Sequence, residues 1–200
     1  NDYTDEGIVF RVDMRLRPFG SQGLLVSPLE SFENYLITHG LDWERYAWLK
    51  SRVVLGPSLI IDALIEPFVY RKYLDFNIFE SLRNIKKKIS QDMLKKINDG
   101  DIKVGRGGIR TLEFIVQSFQ LVWGGKDKPL RCRGFIEALT QLKNKKLIPN
   151  MTYKSLHEAY IFFRNLEHRL QYIDDAQTHK IPVSPEDKSL LASAMGLKSW

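Results

Sequence analysis

Four charged side chains near the start of the chain have the types and the spacing of a site for an anion and a metal ion. They alternate with apolar residues: Arg11, Asp13, Arg15 and Arg17. A carboxylate is a ligand that Mg²⁺ takes readily, and the planar fork of an arginine matches phosphate. The pattern therefore indicates a metal-binding Asp13 inside a site for an anionic ligand. The alternative is a solvated strand face on which Asp13 only balances the charge of its neighbours.

A β-strand would position these side chains. The even positions from 8 to 16 are all apolar, whereas the odd positions from 11 to 17 are all charged. This alternation predicts a half-buried strand with its charged residues on one face. Pro18 cannot donate to a sheet ladder and therefore ends the strand. A short second strand is predicted over residues 24–26.

A second polar group lies in the middle of the chain. Residues 105–108 read GRGG and precede a predicted helix over 109–123, so Arg106 and the backbone N–H groups could face a phosphate at the helix N-terminus. The helix is mostly apolar, but polar side chains recur at spacings of three, four and three: Arg110, Glu113, Gln117 and Gln120. Since buried polar groups need partners, this stripe either joins a structural network or lines a polar cleft.

The rest of the chain has the apolar periodicity of helices. Helices are predicted from Ser27-Pro28 to Gly40 and then over 43–53, 58–70, 78–97, 132–145 and 152–174, with a last one from Ser184 to about Gly196. We therefore predict a mainly α protein of the α+β class: a small β remnant over residues 1–26, followed by a bundle of about seven helices over 27–200.

Composition excludes several classes of protein. Cys132 is the only cysteine, which rules out an intrachain disulfide and a cysteine-based zinc site and fits a reducing compartment. The sequence has no apolar run of the ~20 residues that span a bilayer. We expect a soluble, cytoplasmic protein without a membrane partner. Because the chain begins with Asn1 and has no initiating methionine, we also expect a piece of a longer protein.

The charge balance favours anionic partners. The formal net charge is +6, which suits nucleotides, nucleic acid or an acidic protein surface. Nucleic-acid binding would need basic residues interleaved with aromatic ones, and the scattered charges of this chain do not form that pattern. Nucleic acid is therefore not expected as a partner.

Four blocks of the sequence resemble one known family. They are residues 12–18 (VDMRLRP), 42–47 (DWERYA), 105–117 (GRGGIRTLEFIVQ) and 164–171 (RNLEHRLQ). In this order and at these separations they are similar to blocks of the bifunctional glutamine synthetase adenylyltransferase/adenylyl-removing enzymes. The spellings look like those of the N-terminal, adenylyl-removing half of that family.

The resemblance implies an enzyme activity, a cofactor and partners. The adenylyl-removing half transfers AMP from a tyrosine of glutamine synthetase to inorganic phosphate, which gives ADP, and the other half attaches AMP from ATP. The implied cofactor is Mg²⁺. The implied partners are glutamine synthetase, a nitrogen-regulatory PII-type signal protein, the nucleotides ATP and ADP, and phosphate.

The resemblance also assigns roles to residues. Asp13 matches the third metal carboxylate of the nucleotidyltransferase palm, so residues 1–26 would be the C-terminal part of that palm. Arg15 and Arg17 would then hold phosphate beside Asp13. The helical domain would contribute the remaining substrate-binding or phosphate-binding residues: Arg106, Arg110, Glu113, Glu44 and Arg45.

One departure from the family pattern concerns the metal site. The first metal motif of the family, Gly-Ser followed by Asp-x-Asp, precedes the third carboxylate, and the twelve residues before Asp13 do not contain it. This predicts a fragment with an incomplete metal site and negligible activity in isolation. The alternative hypothesis is a helical binding module that docks glutamine synthetase or the signal protein without chemistry of its own.

Overall fold

The structure is a computed structural model that describes residues 13–14, 16–71, 80, 82–84, 86–87, 100–173 and 178–200. Within these residues it is mainly helical, as predicted. The α-helices that lie wholly within these residues are α1 (Leu29–Thr38), α2 (Asp42–Trp48), α3 (Ser58–Val69), α4 (Ile109–Trp123), α5 (Phe135–Asn144), α6 (Asn150–Tyr172) and α7 (Pro185–Ala194). Short 3-10 helices cover Gly20–Gln22 and Lys128–Leu130.

The predicted β remnant is not present among the described residues. Most of the strand predicted over 8–17, residues 8–12 and 15, lies outside the described residues. The strand predicted over 24–26 is wrong: this stretch has no strand structure, and its side chains are 68% to 85% exposed. A strand needs a neighbour to complete its hydrogen bonds, and the described residues supply none there. Their β pairing amounts to an isolated bridge between Asp101 and Lys180.

The chain divides into two compact units, Asn1–Glu44 and Arg45–Trp200. We predicted a domain boundary between residues 26 and 27, whereas the first unit extends to Glu44 and therefore also includes α1. In this unit the ring of Phe19 lies 4.8 Å from that of Tyr35 on α1. The turn over residues 16–23 therefore packs on α1 within the first unit.

Helix bounds follow the sequence signals where a cap or a stop residue is present. The start predicted for the last helix at Ser184 is confirmed, and the Ser184 hydroxyl accepts from the Asp187 N–H at 3.0 Å as its N-cap. The helix predicted over 43–53 corresponds to α2, which ends five residues earlier than predicted, at Trp48. The helix predicted over 132–145 corresponds to α5, which begins three residues later than predicted, at Phe135. Of the helix predicted over 78–97, residues 80, 82–84, 86 and 87 are described, and they are helical.

The core of the second unit is formed where α4, α5 and α6 pack together. The rings of Phe135 and Tyr160 stack with centroids 3.8 Å apart. The buried side chains of this cluster are Leu112, Val116, Leu130, Phe135, Ala138, Leu139, Leu142 and Ile148. A second cluster joins the loop before α4 to α6 and α7 through Ile102, Leu166, Leu170 and Leu191. The first cluster therefore holds α4 against α5 and α6, and the second holds the loop before α4 against α6 and α7.

The part of the chain that the structure describes contains no helix that is long and apolar enough to cross a membrane.

Shortening Leu139 to alanine should destabilise the second unit strongly. The Leu139 side chain is fully buried, so Leu139→Ala leaves a cavity and should lower the free energy of unfolding by about 3 kcal/mol. Met151 on α6 is 82% exposed, and Met151→Ala should change the free energy by less than ~0.5 kcal/mol. Urea denaturation of both variants measures the difference. Equal effects of the two substitutions would contradict the assigned core.

Candidate functional site

One group of charged residues in the second unit lies between α4 and the end of α2. The Lys50 ammonium pairs with Glu113 Oε1 at 2.8 Å, and the ring of Tyr46 lies 5.8 Å from that of Phe114. Arg110 is exposed one turn before Glu113, on the same side of α4. The structure therefore brings two residues predicted from sequence, Arg110 and Glu113, together with two that were not predicted.

Both charged residues of α4 shift the pKa of the Tyr46 phenol. Burial raises the pKa of the Tyr46 phenol above its ordinary value, and the nearby Glu113 carboxylate raises it further, while Arg110 lowers it in part. The phenol is protonated at neutral pH, as an ordinary tyrosine is, and the raised pKa reflects how deeply the ring is packed. Tyr46 and Lys50 lie four residues apart in the helix predicted over 43–53, and this spacing was the sequence signal that could have identified them.

The GRGG loop before α4 is shaped by close backbone contacts. A Cβ atom on Gly105 would lie 2.1 Å from the Asp101 carbonyl oxygen, and one on Gly108 would lie 2.4 Å from that of Ile102. Both positions therefore require glycine. Residues 102–108 form consecutive turns, and the Asp101 side chain accepts from the Lys103 and Val104 N–H groups.

The first amides of α4 already have partners. The N–H groups of Ile109 and Arg110 donate to the carbonyls of Ile102 and Lys103, both at 3.0 Å. These two donors are therefore not free for a phosphate at the helix N-terminus. Arg106 is exposed in this loop, and its predicted contact with phosphate stays a prediction that would depend on its side chain.

A buried carboxylate ties this loop to α6. Glu167 is 2% exposed; its Oε2 accepts from Arg164 at 2.6 Å and its Oε1 lies 3.2 Å from the Lys103 ammonium. Burial alone would raise the pKa of the Glu167 carboxyl, but Arg164 and Lys103 outweigh burial and hold this pKa below its ordinary value. The loop is therefore anchored by a buried carboxylate, and loss of its charged partners would destabilise the fold.

The polar stripe of α4 divides into an open end and a buried end. Gln120 is buried, and its amide donates to the carbonyls of Leu130 and Cys132, each at 2.7 Å. Gln117 is also buried, and its Oε1 accepts no hydrogen bond from the described residues. Both interpretations of the stripe therefore apply: Gln120 belongs to a structural network, and Arg110 and Glu113 lie at the accessible end.

Glu44 and Arg45 are both buried and bonded to the fold. In the first unit, Glu44 accepts from the Tyr35 hydroxyl at 2.7 Å and from the Leu41 N–H at 2.8 Å, which caps the start of α2. In the second unit, the Arg45 guanidinium donates to the carbonyls of Phe68 and Val69, both at 3.0 Å, at the end of α3. Any role of these residues in substrate binding would act through the helices that they hold.

The residues predicted near the metal ion lie in the first unit. Asp13 is exposed, and Arg15 lies outside the described residues. The Arg17 guanidinium donates to the carbonyls of Gly23, Ser21 and Met14, and its bond to Gly23 is 2.9 Å long. Arg17 therefore closes a turn in this structure, and its predicted contact with phosphate stays a prediction.

Magnesium needs more ligands than the described residues bring together. No group of three or more histidine, cysteine, aspartate or glutamate side chains that could hold a metal ion occurs among them. Asp13 can supply one carboxylate, so the residues described do not form a magnesium site by themselves.

A cavity of about 360 Å³ lies between α3 and the loop before α5. Charged residues line it in pairs: Arg131 contacts Glu66 at 2.7 Å, and Arg133 contacts Asp62 at 3.4 Å. These pairs link α3 to the loop before α5. These partners are 65 and 71 residues apart in the chain, so no local sequence signal marks the pairs.

Comparison with known proteins identifies the family of this chain. Residues 83–200, more than half of the chain, match the family model described as GlnD PII-uridylyltransferase. The chain belongs to this family. Residues 1–62 match a second family model, glutamate-ammonia ligase adenylyltransferase.

Curated relatives match along the whole chain. This chain is 45% identical over 204 residues to the bifunctional glutamine synthetase adenylyltransferase/adenylyl-removing enzyme of Nitrosomonas eutropha. It is 48% identical over 200 residues to the enzyme of the same name from Neisseria meningitidis serogroup A. Each alignment covers 100% of this chain and 22% of the relative. The resemblance predicted from the four sequence blocks is confirmed, and the chain spans about a fifth of the length of these relatives.

Neutralising Glu167 should destabilise the loop that precedes α4. Glu167→Gln removes a buried carboxylate from two cations and should lower the free energy of unfolding by about 3 kcal/mol at neutral pH. Because the folded pKa is lowered, the contribution of the carboxylate is complete above its unfolded pKa and is lost as pH falls through the folded pKa. Urea denaturation at a series of pH values should therefore show the variant and the original chain converging in acid.

Glu158 provides the matched control for this substitution. It is an exposed glutamate on the same helix, so Glu158→Gln should change the free energy of unfolding by less than ~0.5 kcal/mol at every pH. A Glu167→Gln variant as stable as Glu158→Gln would show that the buried network does not anchor the loop.

Proposed function

We propose that this chain is part of a nucleotidyltransferase that removes AMP from a tyrosine of glutamine synthetase. The observation that carries the proposal is the 45% to 48% identity to bifunctional adenylyltransferase/adenylyl-removing enzymes, which extends over the whole chain. The four sequence blocks support the adenylyl-removing half of such an enzyme.

The proposed reaction is a phosphorolysis. An oxygen of inorganic phosphate attacks the phosphorus of the AMP group, the bond between that phosphorus and the tyrosine oxygen breaks, and the tyrosine leaves with a proton as its hydroxyl. The products are ADP and unmodified glutamine synthetase. Mg²⁺ would supply neutralisation of the phosphoryl charge, with Asp13 as one of its ligands and the other ligands outside the described residues.

The residues of this chain would contribute binding and orientation. Arg15 and Arg17 are proposed to hold phosphate near Asp13 in the first unit. In the second unit, Arg106, Arg110 and Glu113 are proposed to face the substrate, since Arg106 and Arg110 are exposed and Glu113 lies beside Arg110 on α4. Glu44 and Arg45 would act indirectly, through the ends of α2 and α3.

A second candidate function is supported by the family match over residues 83–200. That model is named for a PII-uridylyltransferase, a name that includes the PII protein. The helical part of this chain could therefore be a docking module for a PII-type signal protein or for glutamine synthetase. This function predicts saturable binding of one of these proteins to the isolated chain without any chemistry.

Replacing Asp13 should abolish the proposed reaction. In a longer protein that includes the residues upstream of this segment, Asp13→Asn removes a metal carboxylate and should reduce ADP formation by at least ~10²-fold while leaving the fold unchanged. The assay follows ADP released from adenylylated glutamine synthetase with phosphate and Mg²⁺. The 200-residue chain alone should form no measurable ADP.

Glu30→Gln is the matched control, because Glu30 is an exposed carboxylate in the first turn of α1. It should retain the original rate of ADP formation. If Asp13→Asn retains that rate as well, Asp13 only balances the charge of its neighbours. ADP formation by the 200-residue chain itself would show that its metal site is complete.

A further inference from the structure

The cavity between α3 and the loop before α5 is lined by residues that have no part in the proposed reaction. Its volume is about 360 Å³, within the range of sites that hold small organic molecules. All of its lining residues belong to the second unit, and none of them is among the residues proposed to hold Mg²⁺, phosphate or the substrate. The cavity is therefore a candidate for a ligand of its own.

The most buried part of the cavity lining is apolar. The residues concerned are each 8% exposed or less: Leu49, Ile65, Val69 and Tyr70. Placing an apolar group against such side chains is favourable, because it removes apolar surface from water. A ligand that reaches this part of the cavity therefore needs an apolar body.

The more exposed part of the lining is charged. The side chains of Asp62, Glu66 and Arg133 are 36%, 50% and 52% exposed, and Glu137 is exposed as well. The charged groups therefore surround the mouth of the cavity, and the apolar groups form its base. This division suits a ligand that has an apolar body and a charged group at one end.

Hydrogen bonds within the fold already engage Arg131. Its Nε donates to the Gly124 carbonyl at 2.7 Å, and its Nη2 donates to the Gly125 carbonyl at 3.3 Å. Its Nη1 donates to the Glu66 carboxylate at 2.7 Å. All three nitrogens of the guanidinium therefore have acceptors, and an anionic ligand would have to displace them.

Arg133 is engaged in the same way, whereas one carboxylate of the lining is not paired. The Arg133 Nε donates to the Ser51 carbonyl at 2.5 Å, and its Nη2 lies 3.4 Å from Asp62. Within the part of the chain that the structure describes, Glu137 lines the cavity without forming an ion pair. Because Glu66 also belongs to the lining, three carboxylates there face two guanidinium groups. The lining therefore has an excess of negative charge, although the whole chain carries +6.

This excess favours an organic cation over a metal ion. Among the described residues, no three histidine, cysteine, aspartate or glutamate side chains are placed so that they could hold a metal ion together. Cys132, which also lines the cavity, adds no charge, because burial and then the nearby Glu137 carboxylate raise the pKa of its thiol to about 11. A cation with an apolar body suits both the unpaired carboxylate and the apolar base.

We propose that this cavity binds an amphipathic organic cation, whose apolar body lies against Ile65 and Val69 and whose ammonium or guanidinium group pairs with Glu137. The cation comes either from a free small amine or from a basic residue that follows an apolar residue in a protein segment, since both sources present the same groups. The binding is independent of the proposed function, because it uses none of the residues assigned to that reaction.

Isothermal titration of the 200-residue chain with hexylammonium, hexanol and hexanoate tests the requirement for a positive charge. The three probes share an apolar body and differ in charge. Hexylammonium should bind at least ~tenfold more tightly than hexanol, and hexanoate should not bind. Glu137→Gln should weaken the binding of hexylammonium about tenfold, because it removes a charged hydrogen bond, and should leave the binding of hexanol unchanged.

Glu158→Gln is the matched control, because it makes the same change in net charge at an exposed position on α6. It should leave the dissociation constants of all three probes unchanged. The proposal is overturned if hexanol or hexanoate binds as tightly as hexylammonium, or if Glu137→Gln weakens the binding of hexylammonium no more than Glu158→Gln does.

The thiol of Cys132 shows whether the bound amine occupies this cavity. Cys132 is the single cysteine of the chain, and its thiolate reacts with methyl methanethiosulfonate at mildly alkaline pH. Hexylammonium should slow this reaction several-fold, with half of the effect at the dissociation constant found by titration. Binding of hexylammonium without any protection of Cys132 would place the amine elsewhere and would overturn the proposal.

A peptide probe distinguishes the two sources of the cation. N-acetyl-leucyl-lysine amide carries a basic residue directly after an apolar one, and its binding is compared with that of hexylammonium. Tighter binding of the peptide would identify a protein segment as the source, and tighter binding of hexylammonium would identify a free amine. ADP formation by the longer protein is measured separately, so a failure of the proposed function leaves the outcome of these titrations intact.

Discussion

The contact between the buried Glu167 carboxylate and its two cations supports the arrangement of the second unit. A carboxylate that is 2% exposed must keep charged partners, and Lys103 comes from the loop before α4 while Arg164 comes from α6 itself. The loop is thereby held against α6, and its carbonyls in turn receive the first amides of α4. The start of α4, and with it the position of Arg110 and Glu113, follows from this contact.

The two glycines of the loop allow that arrangement. Gly105 and Gly108 lie so close to the Asp101 and Ile102 carbonyls that a side chain would displace the backbone. The glycine-rich sequence therefore serves packing at these two positions. The Ile109 and Arg110 amides donate to carbonyls of the same loop, so the loop closes on the start of α4.

Helix α4 combines two roles along its length. Its far end is part of the core, where Gln120 satisfies two carbonyls next to the short helix Lys128–Leu130. Its near end offers charged residues at the surface, beside Lys50 and Tyr46. Core packing of the far end fixes the axis of the helix, so the charged residues at the near end are presented on a rigid element.

The sequence by itself determined the helical class, the N-cap at Ser184 and the family resemblance, because helix caps, apolar periodicity and ordered motifs are local signals. It also marked Arg110 and Glu113 by their spacing. Only the tertiary structure decided that Glu44 and Arg45 are buried at helix ends and that Lys50 and Tyr46 join Glu113. The contacts of Arg45 with Phe68 and of Lys50 with Glu113 connect residues far apart in the chain, and their choice of partner depends on how the helices pack.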